Sequence, residues 1–178
     1  FVFEYIKEDD RLVLLNNNYK YNCKIYGAYN FPNIASAISV GKILDLESDQ
    51  IQNGLSKFQT EENRSEVFQY QGNKIYLDAY NANPSSMTAA IDNFNKEIKD
   101  NKIVILGDML ELGNFSKDEH TKIIDHLYEM NFESVYLVGK IFSSIKISDS
   151  RFKKFNDIEE LIKGLDLTTI NDKSILIK

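Results

Sequence analysis

The stretch Asp78-Ala79-Tyr80-Asn81-Ala82-Asn83-Pro84-Ser85-Ser86-Met87 joins an extended run to the start of a helix, and it governs how the rest of the chain is read. Beyond it, Met87, Ala90, Ile91, Phe94 and Ile98 recur at three- and four-residue spacing, the apolar stripe of a helix. Lys102 then opens a strand that is apolar through Leu106, as strands buried on both faces of a parallel sheet are. Ser116 and Glu119 have the spacing of a capping box ahead of Ile123, Ile124 and Leu127. Val135 to Val138 reads as the next strand. Asn156, with Glu159 three residues on, is expected to cap a last helix carrying Ile158, Leu161, Ile162 and Leu165, before a final strand at Ile175 to Ile177. This alternation predicts a doubly wound α/β domain over residues 62–178.

Working outward toward the start, Glu66 to Tyr70 and Lys74 to Asp78 flank Gly72-Asn73 and read as a hairpin. Residues 59–65 are polar and without periodicity, which marks a domain boundary and short hinge. Before it, two helices are expected. One spans Asn33 to Leu46 and places Ile34, Ala37, Ile38, Ile43 and Leu44 near one face. The other starts at Ser48 as N-cap, with Ile51, Leu55 and Phe58 on a stripe. Phe1 to Ile6, Leu12 to Leu15 and Lys24 to Tyr26 read as short strands, with a turn at Asn16-Asn17-Asn18. Residues 1–61 therefore form a separate portion. Both ends fall inside strand-like runs, as expected of a piece of a longer chain.

Composition narrows the function classes. Of 178 residues 43% are apolar, enough for a packed core. A net charge of −6 argues against nucleic acid as a partner, since that binding needs clustered Lys and Arg. The single cysteine, Cys23, excludes an internal disulfide framework and reads as a small core residue. No apolar run approaches the roughly 20 residues of a membrane span, so no membrane insertion and a cytoplasmic setting are expected. His120 and His126, six apart on one helix, lie on different faces and do not suit a shared metal; both read as structural or solvent-facing.

In open α/β sheets ligands sit beyond the carboxyl ends of the strands. Two polar segments fall there: residues 78–87, and Leu106-Gly107-Asp108-Met109-Leu110-Glu111-Leu112-Gly113. In the first, Asp78 suits sugar hydroxyls, Asn81 and Asn83 offer donors and acceptors, and the helix start at Pro84 suits an anion. A well-capped loop, with Asn83 as N-cap and Pro84 after it, explains the same residues. In the second, Asp108 and Glu111 suit an amine or cation, or are ordinary solvated loop carboxylates. Asn30 and Asn33, three apart at a helix start, suit either an adenine edge or a cap. Arg64, in the boundary segment, suits phosphate or plain solvent. Neither G-x-x-x-x-G-K-[ST] nor G-x-G-x-x-G occurs, so the chain lacks a phosphate-cradling loop.

The 78–87 and 106–113 strings, separated by a helix, resemble the Mur ligases, in particular the branch that adds D-alanyl-D-alanine to the UDP-linked peptidoglycan precursor. Gly27-Ala28-Tyr29-Asn30-Phe31-Pro32-Asn33 is similar to a family stretch near the end of the central ATPase domain. Its usual histidine is Tyr29 here, while Asn30 and Asn33 are in place. The resemblance covers roughly residues 25–178. It implies the end of the ATP-binding domain over 1–61 and a Rossmann-like C-terminal domain over 62–178, with the missing phosphate loop upstream.

By that resemblance the full-length enzyme uses ATP and Mg2+ to activate the carboxylate of UDP-N-acetylmuramoyl-tripeptide as an acyl phosphate, which D-Ala-D-Ala attacks. Asn33, with Asn30, would contact adenine; Arg64 would sit near the phosphates; Asp78 would bind ribose. Asn81, Asn83 and Ser85 would shape the substrate cleft, with Arg64 and Asn81 as catalytic residues, and Asp108 and Glu111 would orient the dipeptide. Metal ligands are expected mainly upstream and none in this chain. A monomer is expected. The alternatives are another amide ligase of the superfamily, such as folylpolyglutamate synthase, and a non-catalytic α/β binding module with Asp108 as a phosphoacceptor mimic.

Overall fold

Two consecutive asparagines at positive φ, Asn17 (49°) and Asn18 (66°), turn the chain back on itself early, a geometry asparagine tolerates better than most residues. The structure is a computed structural model that describes residues 1–8, 11–58, 63–165 and 170–178, with Lys7 and Arg11 described by backbone alone. Two compact units meet in sequence between Glu66 and Val67. The polar boundary segment expected at 59–65 lies partly outside the described residues.

In the first unit β1 (Glu4–Glu8), β2 (Arg11–Asn16) and β3 (Tyr19–Cys23) form an antiparallel meander with Leu14 opposite Tyr5 and Tyr21. Two helices come next, α1 (Phe31–Ile43) and α2 (Ser48–Lys57). Leu12, Leu14, Tyr21 and Cys23 share one core with Ile34 and Ile38 of α1 and Ile51 and Leu55 of α2. Burial of each such aliphatic side chain contributes about 1.5–3 kcal/mol. Gly41 lets α1 approach α2, because a Cβ there would stand 2.9 Å from Ile51 Cγ1.

The second unit runs β4 (Glu66–Tyr70), β5 (Asn73–Leu77), α3 (Pro84–Glu97), β6 (Lys102–Gly107), α4 (Ser116–Tyr128), β7 (Ser134–Val138), α5 (Lys140–Ser144), β8 (Phe152–Phe155), α6 (Ile158–Gly164) and β9 (Ser174–Ile177). The sheet order is β4-β5-β9-β6-β7-β8, and β5 to β8 are joined through parallel pairs. The last strand thus inserts at the centre, with Leu176 level with Tyr76 on one side and Val104 on the other. Alternate residues face opposite layers. Ile75, Ile103, Tyr136 and Ile175 pack with Leu161 of α6, while Tyr76 meets Phe94 of α3 edge-on at 5.2 Å. Helices therefore cover both faces, the doubly wound α/β arrangement expected.

Several local expectations shift. The third strand is Tyr19–Cys23, not Lys24 to Tyr26, because the asparagine turn closes a two-residue hairpin. α1 begins at Phe31 and ends at Ile43; its buried positions are Ile34, Ile38 and Gly41, while Ala37, Ile43 and Leu44 are exposed. The caps move by one residue. Glu47, not Ser48, caps α2 in a box with Gln50; Phe115 precedes α4, leaving Ser116 inside its first turn; Asp157, not Asn156, accepts from Glu160 N and caps α6. In α6 only Leu161 is buried, and Ile158 and Ile162 are exposed. The β4–β5 turn is Gln71-Gly72, both at positive φ, while Asn73 is buried in β5 and donates to Ile170 O at 2.7 Å. The strand at Phe152–Phe155 and the helix at Lys140–Ser144 are additional to those expected, both too short to show a period in the sequence.

Candidate functional site

Two sites emerge, one in each unit. In the first, Gly27 (φ 94°) turns the chain ahead of α1, and a Cβ there would fall 2.4 Å from the Tyr29 ring. Asn30 Nδ2 donates to Tyr26 O at 2.8 Å and Ser65 Oγ at 3.0 Å, and its Oδ1 accepts from Asn33 Nδ2 at 3.2 Å. Asn30 is thus a half-buried brace, and exposed Asn33 is held by it. Both line a cavity of about 530 Å³ with exposed Arg64 and the apolar Ile34, Ile51 and Leu55. Three of the four residues expected at the nucleotide, Asn30, Asn33 and Arg64, line this cavity; the fourth, Asp78, lies in the second unit. An apolar slot edged by carboxamides and a guanidinium suits a flat heteroaromatic with an anionic tail.

In the second unit the carboxyl ends of β5, β9 and β6 lie side by side, so the two polar segments meet. Tyr80, Asn81, Gly107, Asp108, Glu111 and Lys178 line a cleft of about 350 Å³. Asn83 caps α3, accepting from Ser86 N and Ser85 Oγ, both at 2.9 Å, so its carboxamide oxygen already serves the helix start. Asn81 Oδ1 accepts from Ala82 N at 2.8 Å, and the residue is exposed. Ser85 is also exposed but is not among the cleft residues. Asp108 directs Oδ2 to Ile141 N (2.9 Å) and Oδ1 to Phe142 N (3.0 Å) at the start of α5. Glu111 is exposed at φ 66°.

Two residues here carry no motif that marks them in the sequence. Lys178, its side chain 4% exposed, donates to Asp78 Oδ2 and Asn81 O, both at 2.9 Å, tying the end of β9 to the 78–83 loop. Its one signal is a charge directly after a central apolar strand. His120, expected to be structural or solvent-facing, is fully buried beside Asp108; its signal is its place on the stripe of Ile123, Ile124 and Leu127. His126 instead pairs with Asp92 at 2.6 Å on the surface. Among the described residues no group of three or more His, Cys, Asp or Glu is placed to hold a metal, and no helix is long and apolar enough to cross a membrane.

The chain belongs to the Mur ligase family: the family model described as "Mur ligase, glutamate ligase domain" matches residues 63–178. It is 30% identical over 154 residues to the UDP-N-acetylmuramoyl-tripeptide–D-alanyl-D-alanine ligase of Buchnera aphidicola, covering 86% of this chain and 33% of that protein. The Bacillus subtilis protein of the same name is 33% identical over 162 residues, with 86% and 35% covered. The chain spans about a third of the length of these curated relatives. A crystal structure of MurF from Acinetobacter baumannii superposes with a TM-score of 0.81 at 24% identity over 99% of this chain and 40% of that one. Folylpolyglutamate synthase from L. casei superposes with a TM-score of 0.61 at 17% identity over 98% and 40%. These two superpositions establish the fold.

Proposed function

We propose that this chain forms the adenine-binding end and the amine-binding domain of an ATP-dependent ligase that adds D-alanyl-D-alanine to UDP-N-acetylmuramoyl-tripeptide. On this reading residues 1–61 close the ATP-binding domain and 62–178 form the dipeptide-binding one. The observation that carries it is the meeting of the Asn81 and Glu111 segments on one cleft of the second unit, with relatives of that name alongside.

The chemistry has two steps. The γ-phosphoryl group of ATP passes to the tripeptide carboxylate, giving ADP and an acyl phosphate. The ammonium of D-Ala-D-Ala gives one proton to solvent, the free amine attacks the acyl carbon, and phosphate leaves with the acyl–oxygen electron pair and takes up the second amine proton. Asn33, steadied by Asn30, holds the adenine edge, and Arg64 offsets phosphate charge. Asp78 is assigned to ribose hydroxyls. Asn81 orients the reacting carbonyl and Glu111 receives the dipeptide ammonium, with Asp108 behind it; Asn83 and Ser85 act outside the cleft, holding the start of α3. Such positioning makes amine attack effectively intramolecular. Mg2+ bound to ATP supplies charge neutralisation, and no ligand for it is assigned in this chain.

The deciding assay is phosphate release by the full-length enzyme with ATP and UDP-N-acetylmuramoyl-tripeptide, with and without D-Ala-D-Ala. Release that depends on the dipeptide is expected. Release that depends on glutamate would move the protein to a sister branch, a second reading favoured by the D-glutamate ligase of Clostridioides difficile, 28% identical over 159 residues.

A further inference from the structure

The buried face of α4 carries one imidazole, His120, with no solvent exposure. Its Nε2 lies 2.9 Å from Met109 N and its Nδ1 lies 2.6 Å from Ser116 O. A backbone N–H only donates and a carbonyl only accepts. These two partners therefore assign the ring as neutral, protonated at Nδ1, with Nε2 accepting from Met109. Asp108, one residue earlier, is held from another side by its two bonds to the first turn of α5. Asp108 Oδ1 is 3.5 Å from Nε2, where both atoms are acceptors, so Asp108 constrains the ring's surroundings without binding it. Phe142 stands edge-on to the imidazole at 4.5 Å. The Met109 side chain is itself fully buried. Residues 108 and 109 are thus pinned by α4 and α5 together, and Glu111 leaves this anchor two residues later, at positive φ, into the cleft with Asn81 and Lys178.

We infer that His120 is a positioning residue for the amine substrate: acting through the Met109 N–H, it sets the Asp108–Glu111 loop and with it the Glu111 carboxylate. The inference rests on the reading that this cleft receives the amine. Removing the acceptor leaves a buried N–H unpaired, and the loop relieves that cost by moving.

The test uses full-length enzyme carrying His120→Leu, which removes the acceptor, and His120→Gln, whose Oε1 reaches the place of Nε2. His120→Leu is expected to raise the KM for the amine roughly tenfold, with the KM for ATP within about twofold, as one unpaired buried donor implies. His120→Gln is expected to restore most of the loss. An unchanged amine KM in folded His120→Leu, an equal rise in the KM for ATP, or a Gln variant no better than Leu would overturn the inference. If the Leu variant does not fold, His120→Asn replaces it, since its carboxamide stops short of Met109; a wild-type amine KM there has the same overturning force. Wild-type phosphate release that ignores D-Ala-D-Ala sinks the functional reading instead, and the same KM comparison is then made with whichever amine drives release.

Discussion

Lys178 holds its ammonium 2.9 Å from Asp78 Oδ2 across a sequence separation of 100 residues, at the point where the last strand lies beside β5. The lysine side chain is 4% exposed and the aspartate 15%, so the two charges compensate each other out of water. Lys178→Met should remove the ammonium that faces Asp78 Oδ2 and Asn81 O and cost about 3 kcal/mol of stability. Adding Asp78→Asn should recover part of it, since the carboxylate that faced the ammonium then carries no charge. Urea midpoints of the two single variants and the double variant measure this, and strictly additive losses would mean that the pair is not coupled. In the full-length enzyme, Asp78→Ala should raise the KM for ATP more than that for the dipeptide; an unchanged ATP dependence removes Asp78 from the ribose role.

Asn30 and Asn33 are expected to separate under mutation. Asn30 braces Tyr26 O and Ser65 Oγ, so Asn30→Ala should lower stability by about 1–2 kcal/mol. Asn33 is exposed and held through a single side-chain bond, so Asn33→Ala should change stability by less than about 0.5 kcal/mol while raising the KM for ATP. Thermal melts alongside ATP titrations distinguish the two roles. An Asn33→Ala enzyme with normal ATP dependence would argue against adenine contact.

Gly139 joins β7 to α5 at φ 131°, and a Cβ there would stand 2.2 Å from Asp108 Cγ. Gly139→Ala combines backbone strain with displacement of the carboxylate that caps α5. A loss of about 2–4 kcal/mol is expected from the two effects. A variant as stable as the parent would show that the Asp108 anchor is not needed to hold the loop.

The Tyr19 hydroxyl donates to Asp49 at 2.5 Å, and chiefly this bond to a carboxylate, with some burial, pushes its pKa up to about 12. A folded-state value above the usual 10.0 means that the contribution is complete below pH 10 and is lost as pH rises toward 12. Ultraviolet titration of tyrosinate in the parent and in Tyr19→Phe should differ by one group ionising near pH 12. If the missing group instead ionises near 10, the hydrogen bond does not persist in solution.

The burial of Cys23 is legible as a lone cysteine in an extended run, and burial pushes its thiol up from the usual value. The alternation after Asp78 is legible too, because a strand–helix succession writes its periods into the apolar pattern. Asn83 ahead of Pro84 announces the start of α3 from local chemistry alone. Caps read from a hydroxyl or carboxamide three residues before an acid slip by one, since neighbouring positions compete for the same orphan N–H groups. Ile43 and Leu44 keep the period of α1 but lie beyond Gly41, its last buried position.

What the sequence by itself determined is the alternation of strands and helices after Asp78, the start of α3, and which loops stand at strand ends. What only the tertiary structure decided is which of those ends are neighbours. β9 could pair at either edge of the sheet or within it, and its insertion between β5 and β6 is what brings Lys178 to Asp78 and closes the cleft. His120 likewise looks like one more residue on an apolar stripe, until α4 packs against the loop after β6 and gives its ring a backbone donor. Periodicity records how a segment meets a core; it carries no record of which distant segment supplies the partner.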